Sequence, residues 1–251
     1  MILAMTILLL LCWGSFLNVV GHRLITNQDI IFLRSHCPHC DTTLAWYDLI
    51  PLFSWIWLRG RCRYCHEPIS YLYPFIELLT VIIGLLLFTC VESQYWIAYF
   101  FFFSALIVTI RTDLEHMLIS QYMTIYLIPL SVACAAFGLL PITLTDSIAG
   151  AIGGYAFLYF MGYVARKFMG KEALGEGDLD LLALIGSCTG IIGCWLSLTI
   201  GALLGSIIGG AYLIFSRQDY RNPIPFGPFL AAGAIAYVIF ENALRSFLLC
   251  E

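Results

Sequence analysis

Charge is scarce in this sequence. Only 11% of its 251 residues are Asp, Glu, Lys or Arg, against 61% apolar, and the mean hydropathy is +0.91. That balance excludes an ordinary soluble globular domain. The 12 Lys and Arg are too few and too dispersed for a nucleic-acid surface. No glycine-rich strand–helix cofactor fingerprint occurs. The N-terminal run lacks a basic lead-in and an obvious small-residue cleavage site, so it reads as a retained membrane span rather than a removed signal peptide.

What the sequence has instead is long uncharged runs: 1–20, 93–110, 121–145, 147–165 and 181–216. A helix crossing the hydrocarbon core takes about 20 mostly apolar residues. The run 181–216 has room for two such helices, with a break expected at Thr189–Trp195. Residues 74–91 are interrupted only by Glu77, and 226–248 carry Glu241 and Arg245 near their end. The pattern predicts an all-α polytopic membrane protein of about eight transmembrane helices. Its parts are a first helix over 1–20, an extramembrane segment over 21–73 and a helical core over 74–251. Loops that alternate along the chain hold 11 of the 12 basic residues: Arg23, Arg34, Arg59, Arg61 and Arg63, then Arg111, then Arg166, Lys167 and Lys171, then Arg217 and Arg221. The positive-inside rule makes those loops cytoplasmic. Small-xxx-small spacings at Ala149–Phe157 and Gly201–Tyr212 suit close helix contacts within the chain. The aromatic run Tyr99–Phe103 is expected to face lipid.

The extramembrane segment carries Cys37-Pro-His-Cys40 and Cys62-Arg-Tyr-Cys65, with 21 residues between the pairs. Each knuckle offers two thiolates from one tight turn, a pattern suited to tetrahedral zinc. About fifty residues with little core benefit from such a staple, and four thiolates leave no open position for catalysis. Paired thiols without metal, or a disulfide on an oxidising side, are the alternatives. His36, His39 and His66 read as solvated neighbours. Cys12, Cys90, Cys134, Cys188, Cys194 and Cys250 read as small buried hydrophobes.

Ionisable groups beside membrane spans are functional candidates. Two clusters qualify: Arg111–Ser120, leaving the third span, and Glu176, Asp178 and Asp180, entering the sixth. Positions 178 and 180 differ by about 200° around a helix, so they point to nearly opposite faces. Gly175 and Gly177 precede Asp178 and permit another chain to approach, which favours Asp178 as the working acid. Asp180 and Glu176 are then expected to face water or a basic neighbour. An N-terminal cap is the alternative role for Asp178. Asp113 lies nearest the apolar span in the first cluster. Two carboxylates at one depth that approach closely share a proton, one acting as base on water and the other as acid on a peptide carbonyl. An ion-translocating pair is the rival chemistry.

Several motifs together resemble the bacterial type IV prepilin peptidases, which are leader peptidases and N-methyltransferases. They are Gly14–Leu24 (GSFLNVVGHRL), Asp48–Trp55, Leu58–Cys65, Ile69–Thr80, Gly175–Asp178 (GEGD) and Pro225–Gly233 (PFGPFLAAG). Presenilin-type proteases share Gly-x-Gly-Asp, but the ordered set is specific. The resemblance covers almost the whole chain and implies Asp113 and Asp178 as catalytic pair. It also implies a cytoplasmic site in the bacterial inner membrane and cleavage of basic leaders from prepilins or pseudopilins, usually after glycine. Methylation of the new N-terminus by S-adenosylmethionine follows in that family, with Gly60 and Arg61 at the position associated with methyl transfer. Asp48 and Glu77 match family positions and read as structural. The chain departs from the family pattern at Asp180, where Lys is common, at Ser120, where Pro is usual, and at Arg61, where Lys is usual.

Overall fold

A computed structural model of the chain describes residues 1–26, 28–29, 34–169, 175–216 and 225–249, without the side chains of 169, 213–216 and 242–249. Lys171, Arg217, Arg221 and Cys250, and the side chain of Arg245, lie outside the described residues. Among the described residues the structure is helical, with only two isolated β-bridges. Two units divide the chain at Leu86/Leu87.

The first unit contains α1 (Ile2–Thr26), α2 (Phe53–Trp57) and most of α3 (Leu72–Cys90). Helix α1 meets α3 at Gly14, where a Cβ would come within 2.9 Å of the Glu77 Cα. The Asn18 side-chain amide donates to the Tyr73 carbonyl at 3.1 Å, and Asn18 is buried. Glu77 is buried as well, and its Oε2 accepts the Leu52 N–H at 2.8 Å. The acid at the head of α3 thus holds the turn that starts α2.

The second unit contains α4 (Trp96–His116), α5 (Ile128–Ala136), α6 (Leu144–Met169), α7 (Glu176–Ser216) and α8 (Gly227–Leu249). Helix α7 packs against α6 and α8, α5 against α6 and α7, and α4 against α8. Every residue from Leu179 to Gly190 is buried, so the first half of α7 is the centre of this unit. Helices α6 and α7 touch backbone to backbone: a Cβ on Gly150 would sit 2.2 Å from the Gly186 carbonyl oxygen. The small residues of Ala149–Phe157 therefore serve contacts within the chain, as expected. Helix α7 breaks at Gly190 (φ 71°, ψ −176°), inside the stretch where a break was expected.

Five helices among the described residues are long and apolar enough to cross a membrane: Ile2–Thr26, Leu72–Cys90, Ser93–His116, Leu144–Phe168 and Glu176–Tyr212. Two apolar stretches are shorter, Gln121–Ala136 and Gly227–Glu241. The uncharged run 121–145 is not one long helix. It starts as two 3-10 turns, Gln121–Met123 and Ile125–Leu127, and its α-helical parts are Ile128–Ala136 and the first two residues of α6. Gly138 at φ +70° then turns the chain. Hydropathy measures where a chain is comfortable, not where a turn ends its helix.

Three other expectations are corrected. The aromatic run does not mainly face lipid, because Tyr99, Phe102 and Phe103 are buried at i, i+3 and i+4 on the inner face of α4. Only Phe101 of this group is well exposed, at 52%. Arg111 is not a loop residue: it lies inside α4, fully buried, and pairs with Glu115 one turn on. Cys188 and Cys194 are buried as expected, whereas Cys12 and Cys90 are exposed, on positions that α1 and α3 turn outward.

Candidate active site and metal centre

The two knuckles of the first unit are copies of one local structure. In the first, the Asp41 N–H donates to the Cys37 carbonyl at 2.9 Å, and the Cys37 N–H to Thr42 at 3.0 Å. In the second, the His66 N–H donates to the Cys62 carbonyl at 3.1 Å, and the Cys62 N–H to Glu67 at 2.9 Å. Each pair is followed by a left-handed residue, Asp41 at φ 53° and His66 at φ 61°. An isolated antiparallel bridge closes each knuckle, His36 with Thr43 and Arg61 with Pro68. The turns bring Cys37, Cys40, Cys62 and Cys65 together, with all four sulfurs within 4.8 Å of one another. Cys37 and Cys65 sulfurs are 3.8 Å apart. Zn–S bonds of about 2.3 Å place tetrahedral thiolates at about that separation. The donor set and its geometry fit a zinc ion. None of His36, His39 and His66 joins the cluster, and His39 and His66 are exposed.

The thiols divide unevenly. Hydrogen bonding by the Thr42 hydroxyl, then its N–H, lowers Cys40 to about 6. Hydrogen bonding by the Cys65 N–H lowers Cys62. Burial raises Cys37. At Cys65 the Glu67 N–H lowers the value, but burial and the three neighbouring thiols carry it up to about 12. Four thiolates so close cannot all hold charge without a cation among them. Asp48 braces the second knuckle, because Arg63 donates to its Oδ1 at 2.8 Å and stands 5.0 Å from the Tyr47 ring centroid.

Gly60 and Arg61 lie beside this centre. Gly60 is buried at φ +67°, and a Cβ there would meet the Trp55 ring at 2.7 Å. The turn itself demands glycine at that position. Arg61 lines an open pocket of about 590 Å³ together with Trp57, Arg59, Arg63 and His66. Guanidinium groups could take the carboxylate of S-adenosylmethionine. Among the described residues the lining offers no acid for its ammonium and sulfonium cations, so the pocket by itself matches only the carboxylate end of the methyl donor.

The candidate acids stand at helix ends in the second unit, Asp113 near the close of α4 and Asp178 at the opening of α7. Asp113 sits in the last turn of α4, which ends when Met117 turns left-handed (φ 53°) and its N–H returns to the Asp113 carbonyl at 2.9 Å. The Asp113 carboxylate is buried, 5% exposed, and its Oδ2 accepts the Gly227 N–H at 2.9 Å. Gly227 is the first residue of α8, whose free N–H groups suit an anion. A Cβ there would lie 2.8 Å from that same oxygen and 3.2 Å from Ile119. Asp178 stands in the first turn of α7, half-buried, close enough for the charge of Asp113 to act on it. Ile119 also fills the space over Gly177, where a Cβ would come within 2.7 Å of the Ile119 Cβ. One isoleucine therefore sits against both glycines, and α7 and α8 can crowd the loop that follows Asp113.

Asp180 does not face water. It is 7% exposed, and no basic side chain among the described residues pairs with it; the charge of Glu176 acts on it instead. Opposite faces of this helix are both buried because α7 is central. Glu176 is exposed, as expected. Gly227 carried no role in the sequence reading. Its signal is the Pro225-Phe226-Gly227-Pro228 run, a glycine and proline pair at the head of a helix.

Comparison with known proteins places this arrangement in context. A profile of the bacterial peptidase A24 N-terminal domain matches residues 8–91, and a profile of the type IV leader peptidase family matches residues 100–214. A prepilin leader peptidase/N-methyltransferase of Aeromonas hydrophila is 36% identical, covering 94% of this chain and 90% of its own length. A type 4 prepilin-like proteins leader peptide-processing enzyme of Escherichia coli is 36% identical over 91% of this chain and 90% of its own. A Myxococcus xanthus prepilin leader peptidase/N-methyltransferase is 40% identical over 80% of this chain and 58% of its own. No solved structure matches the chain significantly.

Proposed function

The chain belongs to the type IV leader peptidase family, and on that premise we propose that it is an aspartyl endopeptidase of the bacterial inner membrane with N-methyltransferase as its second activity. Its substrates are prepilins or pseudopilins, cut after glycine at the end of a basic leader, and the new N-terminal residue is then methylated. Five helices among the described residues are long enough to cross; the eight-span reading further asks that α7 count as two at Gly190 and that the shorter apolar stretches Gln121–Ala136 and Gly227–Glu241 also cross.

The observation that best supports the reading is Ile119 standing against both Gly177, the neighbour of Asp178, and Gly227, whose N–H donates to one oxygen of Asp113. That hydrogen bond leaves the other Asp113 oxygen for water. One carboxylate takes a proton from water, which attacks the scissile carbonyl. The other, protonated, polarises that carbonyl and then protonates the leaving amine. Positions at the rim of the membrane suit a substrate whose leader is in water and whose next segment is a membrane helix. Cys37, Cys40, Cys62 and Cys65 would hold zinc, which supplies a structural cross-link between the two knuckles and no catalysis.

The test is co-expression with a prepilin, comparing the wild type with Asp113→Asn and Asp178→Asn. Loss of general acid–base catalysis costs about 100- to 10,000-fold. Leader removal at the wild-type rate by either variant would rule out the dyad. Mass spectrometry of the mature N-terminus reads methylation; complete cleavage with an unmodified terminus removes the second activity.

A further inference from the structure

The open pocket beside the second knuckle has charge to spare. Arg63 is engaged by Asp48 and Tyr47, whereas Arg59 and Arg61, both exposed, have no acidic partner among the described residues. Next to them α2 presents Phe53, Ile56 and Trp57, exposed by 60, 67 and 72%. These positions are i, i+3 and i+4 and share one helix face. The Phe53 and Trp57 rings stack at 5.9 Å.

Hydrogen bonds tie this surface to the head of a membrane span. The Ile69 N–H donates to the Gly60 carbonyl at 2.7 Å, and the Trp55 ring N–H to the Ile69 carbonyl at 3.4 Å. Trp55 also lies 5.2 Å from the ring of Tyr71, the residue before α3. From Ile69 to Leu72 the chain reaches at most about 10 Å. Helix α3 has 19 residues, a length of about 28 Å, which is close to the hydrocarbon thickness. Its first residue then falls at the membrane–water interface, and the bonds through Ile69 keep Arg59, Arg61 and the apolar face of α2 within reach of it. Tryptophan concentrates at that depth, and guanidinium groups pair there with lipid phosphates.

We propose that this surface binds an anionic phospholipid, with Arg59 and Arg61 on the headgroup phosphate and Phe53, Ile56 and Trp57 in the glycerol and upper acyl region. It seats the four-cysteine unit on the bilayer.

The test uses full-length protein reconstituted in nanodiscs of phosphatidylcholine alone or mixed with phosphatidylglycerol. Lipids retained after gentle detergent extraction are counted by native mass spectrometry. The wild type is expected to retain phosphatidylglycerol in preference, and to lose that preference as salt is raised. Arg59→Gln is expected to weaken retention about fivefold, and the Arg59→Gln/Arg61→Gln pair about 25-fold. Trp57→Ser is expected to lower retention of both lipids while keeping the preference. Zinc content shows whether a variant is folded; where a variant loses it, the wild-type preference and its salt dependence decide alone. Equal retention of the two lipids by the wild type overturns the proposal, as does undiminished preference in a zinc-replete double variant. Displacement of the lipid by millimolar inorganic phosphate would assign the site to a soluble anion, and displacement by a basic leader peptide would assign it to the substrate.

Discussion

Asp113 is oriented by a backbone N–H that only glycine at position 227 can bring so near. A Cβ there would be 2.8 Å from the accepting oxygen, so Gly227→Ala must push the carboxylate or the head of α8 aside. Misplacing a reacting group by about 1 Å costs on the order of 100-fold. Gly227→Ala is therefore expected to cut leader removal by about that factor, with thermal unfolding in detergent shifted little. A cleavage rate within twofold of the wild type would show that the hydrogen bond does not position the acid. Asp180 teaches a different lesson at this scale. Helical rotation separates it from Asp178, but rotation alone cannot say that a face is wet when the helix is surrounded.

The knuckles and the broken helix act as elements. Zinc takes thiolates, and the raised Cys37 and Cys65 mean that the metal-free cluster keeps protons at neutral pH. Binding zinc must release them, more than one per ion, which calorimetry in buffers of different ionisation enthalpy reads. Thiolates form as pH rises, so the stabilisation by zinc is present at neutral and alkaline pH and lost on acidification. Retained zinc is expected to fall as pH drops below about 6, where even Cys40 protonates; constant zinc content down to pH 4 would contradict the thiolate set. In α7, Gly190 adopts φ 71° with ψ −176°, a region essentially reserved for glycine, where other residues pay strain of about 1–3 kcal/mol. A Cβ there has room, 3.5 Å from the Asp146 Cβ. Gly190→Ala is thus expected to lower stability by that amount through the backbone, while Gly210→Ala, with nothing within 4 Å, is expected to leave it unchanged or raise it. Equal effects at the two sites would argue against strain.

At the scale of the whole molecule, the alternation of basic loops predicts an orientation that labelling can test. The turn around Ser93 has no Lys or Arg, whereas the stretch before α7 follows Arg166 and Lys167. In a Cys90→Ala background, Ser93→Cys is expected to react with an impermeant maleimide in intact spheroplasts. Glu176→Cys, exposed at the head of α7, is expected to react only after the membrane is opened. The reverse pattern would put the acids on the outer side.

Composition alone determined the class: so little charge and so many long apolar runs leave helices in lipid as the only way to satisfy the backbone. Local spacing determined the two cysteine knuckles, because a Cys-x-x-Cys turn and the left-handed residue after it are settled within about six residues. It also placed the break near Gly190. Tertiary structure alone decided which acids are enclosed. The glycines before Asp178 set it apart in sequence, but no local pattern showed that α8 brings Gly227 to Asp113 or that the burial of α7 encloses Asp180. It likewise turned the aromatic run inward, buried Arg111 and shortened the helix expected over 121–145. Hydropathy cannot separate contact with lipid from contact with another helix, since both are apolar; only the arrangement of neighbours does.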